Sequence, residues 1–286
     1  LFSNLLDLFD INRKINSCVQ TPNLKIMDKK ITIFLFAALV ALGSCTNKNK
    51  TNQLDEKGKQ EHWSYQGETS PEHWAEIEKN SACGGKSQSP INIIGKNTVP
   101  INLKDSLRIY YSPKTLLSKV ENNGHSIQFD FETGDSIQFN KEIYYLKQIH
   151  FHEPSEHKIN GVIYPIEAHL VHISNKNQLT VFSVLGIEGE ESQLFEFFKS
   201  FLPLENGETK EIHQEFDVTG LSLENRAYYF YTGSLTTPPC TENVNWIVFK
   251  DPIILSLEEV LALRKNMPLN NYRNEQPLNG RIVYSK

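Results

Sequence analysis

Apolar and polar residues alternate with a period of two along much of this chain. The runs Ser126 to Phe131, Glu142 to His152 and Leu179 to Ile187 all show it. Successive side chains of a strand point to opposite faces, so each run reads as a strand with one buried face. Many such runs, broken by turn residues, predict a mainly β (α+β) single domain built on a large, mostly antiparallel, twisted central sheet. Helical spacing is scarce. Ser192 to Phe201 carries it, and so does Ser256 to Lys265. The latter opens on Ser256 with Glu259 three residues on, a capping box, and is followed by Pro268. A few peripheral helices are therefore expected. The sequence has no internal repeat and no glycine-rich phosphate loop.

Two of the strand-like runs carry candidate chemistry. In Gln148-Ile149-His150-Phe151-His152-Glu153, the two histidines share a face and lie about 7 Å apart along the strand. Ile149 and Phe151 point the other way, into a core. In Glu167-Ala168-His169-Leu170-Val171-His172, His169 shares a face with Glu167 and Val171, whereas His172 falls opposite with Ala168 and Leu170. Alternation alone can mean no more than a half-exposed sheet face. A third histidine from a neighbouring strand would instead complete a three-nitrogen metal site with a fourth position open for water. Strand parity nominates His169 for that place. His172 reads as a buried, hydrogen-bonded histidine.

From about His62 to the C-terminus the chain resembles the alpha class of carbonic anhydrases, in its bacterial form. The landmarks are His62-Trp63-Ser64-Tyr65, Pro71-Glu72-His73-Trp74, Gln88-Ser89-Pro90-Ile91-Asn92-Ile93 and Asn122-Asn123-Gly124-His125. They continue with the two histidine runs, Ser155-Glu156-His157, and Gly233-Ser234-Leu235-Thr236-Thr237-Pro238-Pro239. Asn271-Tyr272-Arg273 and Gln276-Pro277-Leu278 close the series. Their order and number carry the resemblance; no single fragment does.

The resemblance implies Zn2+ held by His150, His152 and His169, and reversible hydration of carbon dioxide to bicarbonate and a proton by attack of zinc-bound hydroxide. Gln148 and Glu167 would orient the His150 and His169 rings. Both lie on the ligand face of their strands. Thr236 would accept a hydrogen bond from the hydroxide and donate its own proton to Glu156. A hydroxyl can do both at once. Val171, which parity also selects, would form the apolar wall for carbon dioxide with Val184, Leu235, Val244 and Trp246, and Thr237 would line the same pocket. His125 resembles the family's proton shuttle, and imidazole titrates near neutrality, which suits that role. On an unbroken strand to Phe131, however, His125 would share a face with Ile127 and Phe129, so parity does not place it in the cavity. His157 reads as structural, and His62, His73 and His213 as surface or structural. Glu153, Pro154 and Tyr272 depart from the animal pattern and leave the rim, hence inhibitor preference, open. A non-catalytic binding module on the same fold and a zinc esterase are the competing readings.

The 286 residues, 39% hydrophobic with formal net charge −5, suit one well-cored domain plus a tail. The acidic balance gives no support for nucleic-acid binding; the partner that the resemblance implies is a small-molecule substrate, carbon dioxide or bicarbonate. Whether the chain forms a homodimer stays open. Met27-Asp28-Lys29-Lys30 precedes an apolar run from Ile31 to Gly43, short for a membrane span and right for a signal peptide. The run leads into Leu42-Gly43-Ser44-Cys45, which resembles a lipoprotein box with Cys45 as the lipidated residue. Cleavage without lipid, or an uncleaved anchor, are the alternatives. Residues 1–26 then read as an over-extended N-terminus, 27–44 as the signal, 45–59 as a polar tether and 60–286 as the domain. This predicts export to a bacterial cell envelope, on the periplasmic or surface side, with the membrane reached only through the lipid. In an exported protein the remaining pair, Cys83 and Cys240, favours a disulfide, and many extracellular relatives bridge these regions.

Overall fold

The computed structural model describes residues 62–78, 80–101, 107–221, 223 and 226–286. The signal, the tether and Cys45 lie outside them. In chain order the strands are β1 (Asn92–Ile93), β2 (Val99–Pro100), β3 (Leu107–Tyr110), β4 (Thr115–Asn122), β5 (Ile127–Phe131), β6 (Ser136–Phe139), β7 (Glu142–His152) and β8 (Lys158–Ile159). They continue with β9 (Ile166–Ser174), β10 (Leu179–Glu188), β11 (Thr209–Phe216), β12 (Tyr228–Ser234), β13 (Glu242–Phe249), β14 (Ile253–Leu255) and β15 (Tyr284–Ser285). The α-helices are α1 (Trp74–Ile77), α2 (Gln193–Lys199) and α3 (Leu257–Arg264). Among the described residues no helix is long and apolar enough to cross a membrane.

One large sheet runs in the order β11-β4-β5-β7-β9-β10-β13-β12-β15-β2, with β3, β6 and β14 paired beside that path. Most pairings are antiparallel, as the alternation predicts. Three are not: β10 runs parallel to both β13 and β14, and β15 parallel to β2. The sheet is therefore mixed. Parallel neighbours need a crossover between them, and α2, β11 and β12 occupy the stretch between β10 and β13.

The two faces of the sheet differ. One buries Ile149, Phe151, Leu170, Phe182, Val184 and Phe249 against Phe195 and Phe198 of α2 and Val260 and Leu263 of α3. The helices form where the sequence predicts them. Ser256 caps α3 through the Glu259 N–H, while the Glu259 carboxylate accepts from the Ser256 N–H, completing the capping box. Glu259 also accepts from the Ser192 N–H and so joins α3 to the start of α2.

The opposite face holds the functional groups. Strand β7 carries a register shift between Leu146 and Gln148. Tyr144 and Leu146 of its first half and Ile149 and Phe151 of its second lie in the same core cluster, although their parities differ. The extra residue at the bulge reconciles them. Cys83 and Cys240 form a disulfide with Cα atoms 4.8 Å apart, packed beside Tyr65 and Trp74. Such bonds persist in oxidising compartments, in line with an exported protein. By chain entropy, closing a loop of 157 residues stabilises the fold by about 5 kcal/mol.

Candidate active site

His150 and His169 are directly opposed on β7 and β9. His152 follows on the same face of β7, and one ring nitrogen from each of the three lies within 4.8 Å of the others. The remaining nitrogens are each engaged by an acceptor. His150 Nδ1 donates to Gln148 Oε1 at 2.7 Å, His152 Nδ1 to the Asn271 carbonyl at 2.6 Å, and His169 Nε2 to Glu167 Oε1 at 2.7 Å. Oxygens that only accept fix the tautomers, so His150 Nε2, His152 Nε2 and His169 Nδ1 present lone pairs. Burial pushes all three rings down, that of His152 to about 4, and holds them in the neutral form that binds metals. His152 Nε2 is buried without a hydrogen-bond partner. An orphaned buried lone pair facing two others is what a metal-binding set needs when the ion is left out of account.

A second set, His157, Glu167 and His169, is equally compact. Its groups already satisfy one another. Glu167 Oε1 accepts from His157 Nδ1 at 2.7 Å, from His169 and from Ser183 Oγ at 2.6 Å, while Oε2 accepts the Glu156 and His157 N–H groups at 2.8 Å. Burial alone would raise the Glu167 carboxyl, but the adjoining histidines and these donors outweigh it and hold it well below the usual range. His157 Nε2 meets the Tyr231 hydroxyl at 2.7 Å. This cluster orients His169 and leaves His157 no free nitrogen, as its structural reading expects.

Glu156 lies beside two of these nitrogens, with Oε2 3.6 Å from His152 Nε2 and 4.0 Å from His169 Nδ1. Its other oxygen accepts the Arg273 N–H at 2.9 Å. Burial raises its carboxyl to about 7, opposed by His169, by the nearby Thr236 side chain and by the Arg273 N–H, and aided by the Glu167 charge. Thr236 is itself buried at the end of β12, in the loop closed by the disulfide. The Gln88 side chain donates to the Cys240 carbonyl and accepts from Arg273, so one network joins that loop to the Glu156 segment.

Val171, Leu235, Val244 and Trp246 pack in one apolar cluster, and the Trp246 ring centroid lies 4.8 Å from that of His169. Thr237 is half-buried in the same loop. Val184 is a correction. It opposes Ala168 and belongs to the core behind the sheet. The residue of β10 that opposes Val171 is Val181, and it packs with that cluster. The resemblance alone nominates Val184, whereas the strand register decides the face.

His125 does not begin a strand. The Asn123 side chain accepts the His125 and Ser126 N–H groups at 2.9 Å, Gly124 takes φ +82°, and β5 starts only at Ile127. The parity objection to His125 therefore lapses. Its ring stacks on Trp63 at 3.6 Å and meets His62, Nε2 to Nε2, at 3.0 Å. Its carbonyl accepts from Asn271 Nδ2, whose own carbonyl holds His152. His172 is fully buried behind the sheet, bonded to the Tyr111 hydroxyl at 2.6 Å and the Thr180 carbonyl at 3.2 Å, as parity predicts. Asn271, Ser183, Val181 and the Arg273 side chain had no assigned role from sequence. Asn271 and Arg273 lie in an irregular segment without periodicity, and only register reveals Ser183 opposite His169.

The comparisons with known proteins agree with this geometry. A family model described as eukaryotic-type carbonic anhydrase matches residues 69–286. A carbonic anhydrase of Neisseria gonorrhoeae is 36% identical over 257 residues, covering 89% of this chain and 96% of that protein. The alpha-carbonic anhydrase of Thermovibrio ammonificans, solved with the inhibitor sulfanilamide, superposes with a TM-score of 0.74 at 41% identity, covering 78% of this chain and 98% of the other. Dioscorin, solved with ascorbate, shares the fold at a TM-score of 0.72 and 32% identity, over 79% of this chain and 98% of the other. The family match over most of the described domain, joined to the opposed histidines, shows that the chain belongs to the eukaryotic-type, or alpha, carbonic anhydrases, enzymes that interconvert carbon dioxide and bicarbonate.

Proposed function

We propose that this chain is a zinc-dependent carbonic anhydrase whose metal is held by His150, His152 and His169. The observation that carries this reading is the set of three neutral imidazoles, each turned by a defined acceptor so that one lone pair faces the others. Zinc at such a set keeps a position for water and lowers that water's pKa, supplying a nucleophile at neutral pH. Gln148, the Asn271 carbonyl and Glu167 keep the rings from turning. Thr236 has one hydroxyl proton, and Glu156 takes it. Toward the attacking water Thr236 can therefore only accept, and that selects one orientation. Val171, Val181, Leu235, Val244 and Trp246 present an apolar surface, suited to carbon dioxide and poor at retaining charged bicarbonate. His125 passes the released proton outward from the rim.

The test is zinc content and carbon dioxide hydration in His150→Ala, His152→Ala and His169→Ala beside the parent chain. Each variant should lose both together. Full zinc occupancy in all three would refute the assignment. For the envelope, we propose lipid attachment at Cys45, supported by the basic residues, the short apolar run and the small residues before the cysteine. Mass spectrometry of the protein from its native host should find the mature N-terminus at a lipidated Cys45; an unmodified Cys45 would exclude the anchor.

A further inference from the structure

We propose that His62 is the outer half of a two-imidazole proton relay whose inner half is His125. The proposal rests on the hydration activity argued above and concerns the step that follows it. The two rings meet Nε2 to Nε2 at 3.0 Å. At that distance one nitrogen donates and the other accepts, so the pair shares a single hydrogen. The inner ring is half-buried, stacked on Trp63 at 3.6 Å with an interplanar angle of 13°, and Asn271 links its backbone to the segment that holds His152. The outer ring is exposed. The pair thus runs from a half-buried ring to an exposed one.

His125 alone is poorly suited to hold a proton. Burial, and then the neighbouring His62, push its ring down to about 4. A group that loses its proton so readily can still pass one on if an acceptor is already in contact. A carboxylate in that place would trap the charge. An imidazole can instead accept on one nitrogen and release a proton from the other. Tyr65 also borders His125, with ring centroids 6.2 Å apart, but its phenol is pushed well above the usual value and stays protonated.

The proton count closes. A proton arriving at His125 Nδ1 displaces the one on Nε2, which crosses to His62 Nε2. His62 then carries protons on both nitrogens and releases one from Nδ1 to buffer. One proton enters and one leaves, and exchange with water restores the starting tautomers.

The test uses the zinc-loaded chain in stopped-flow hydration assays, with kcat and kcat/KM measured separately. His62→Ala should lower kcat about tenfold in weak, non-imidazole buffer, leave kcat/KM near the parent value, and recover on addition of imidazole. His62→Gln can still hydrogen-bond to His125 but cannot titrate, and it should be equally slow. His125→Ala combined with His62→Ala should be no slower than His125→Ala alone, because the two act in series. Parent-like kcat in His62→Gln would reduce His62 to a positioning group and overturn the relay. Unchanged or faster turnover in His62→Ala would also overturn it, by showing that His62 only depresses His125. These outcomes lie in kcat, whereas failure of the zinc reading would remove kcat/KM from the parent chain itself.

Discussion

His150 on β7 and His169 on β9 are cross-strand partners, while His172, three residues further along β9, is buried on the opposite face. Three positions along a strand reverse the side chain, so one segment supplies both a site ligand and a core residue. His169→Ala should therefore lose most bound zinc and essentially all hydration activity. His172→Ala should keep its zinc while losing stability, since it removes the hydrogen bonds of the ring to the Tyr111 hydroxyl and the Thr180 carbonyl. Metal analysis of both variants checks this. Equal loss of zinc would contradict the assignment by strand face.

Thr236→Ala should retain zinc and a full complement of folded protein. Its hydration rate should fall about 10²-fold, the size of effect seen when one oriented hydrogen bond is removed near developing charge. The loss should appear in kcat/KM, because the hydroxyl orients the attacking water rather than exporting the proton. Parent-like kcat/KM would remove Thr236 from the mechanism.

Val181 and Val184 offer a contrast on one strand. Val181→Phe should fill the apolar wall beside His169 and cut hydration sharply with little loss of zinc. Val184→Phe should overpack the core behind the sheet, costing about 1–3 kcal/mol of stability while the folded fraction keeps its specific activity. Denaturation curves and activity per bound zinc separate the two. The reverse pattern would restore Val184 to the pocket.

Much of the site was legible because strand parity is a strict rule. It places His150, His152 and His169 together, sets Gln148 and Glu167 on the same face, and sends His172 to the core. The α3 capping box was equally legible, since its partners lie three residues apart. What escaped depends on distant pairing. The choice between Val181 and Val184 needs the β9·β10 register, and Ser183 needs the same register to meet Glu167. The bulge near Lys147 is a compensation within the β7·β9 pair, invisible to a count along one strand. Asn271 acts through its carbonyl as well as its side chain, and a carbonyl leaves no residue signature. His125 was obscured by assuming that β5 began two residues early.

His172 also gives the fold a dependence on pH. Burial lowers its ring from 6.5 to about 3, against weaker support from the Thr180 and Leu170 backbone. The unfolded chain takes up a proton below about 6.5 that the folded chain refuses until about 3. This contribution to stability is therefore complete above 6.5 and declines as pH falls through that window. At pH 5 the loss is about 2 kcal/mol. Denaturant titrations of the parent and His172→Gln at pH 7.5 and pH 5 should show a smaller drop in the variant. Parallel drops would mean that other groups set the acid sensitivity.

The most direct measurement of the central claim is carbon dioxide hydration followed through removal and return of zinc in the parent chain. With zinc stripped by a chelator, the rate should fall to that of buffer alone. It should return in proportion to added zinc and level off at one equivalent per chain. Hydration that continues at the original rate in the metal-free protein would contradict the account.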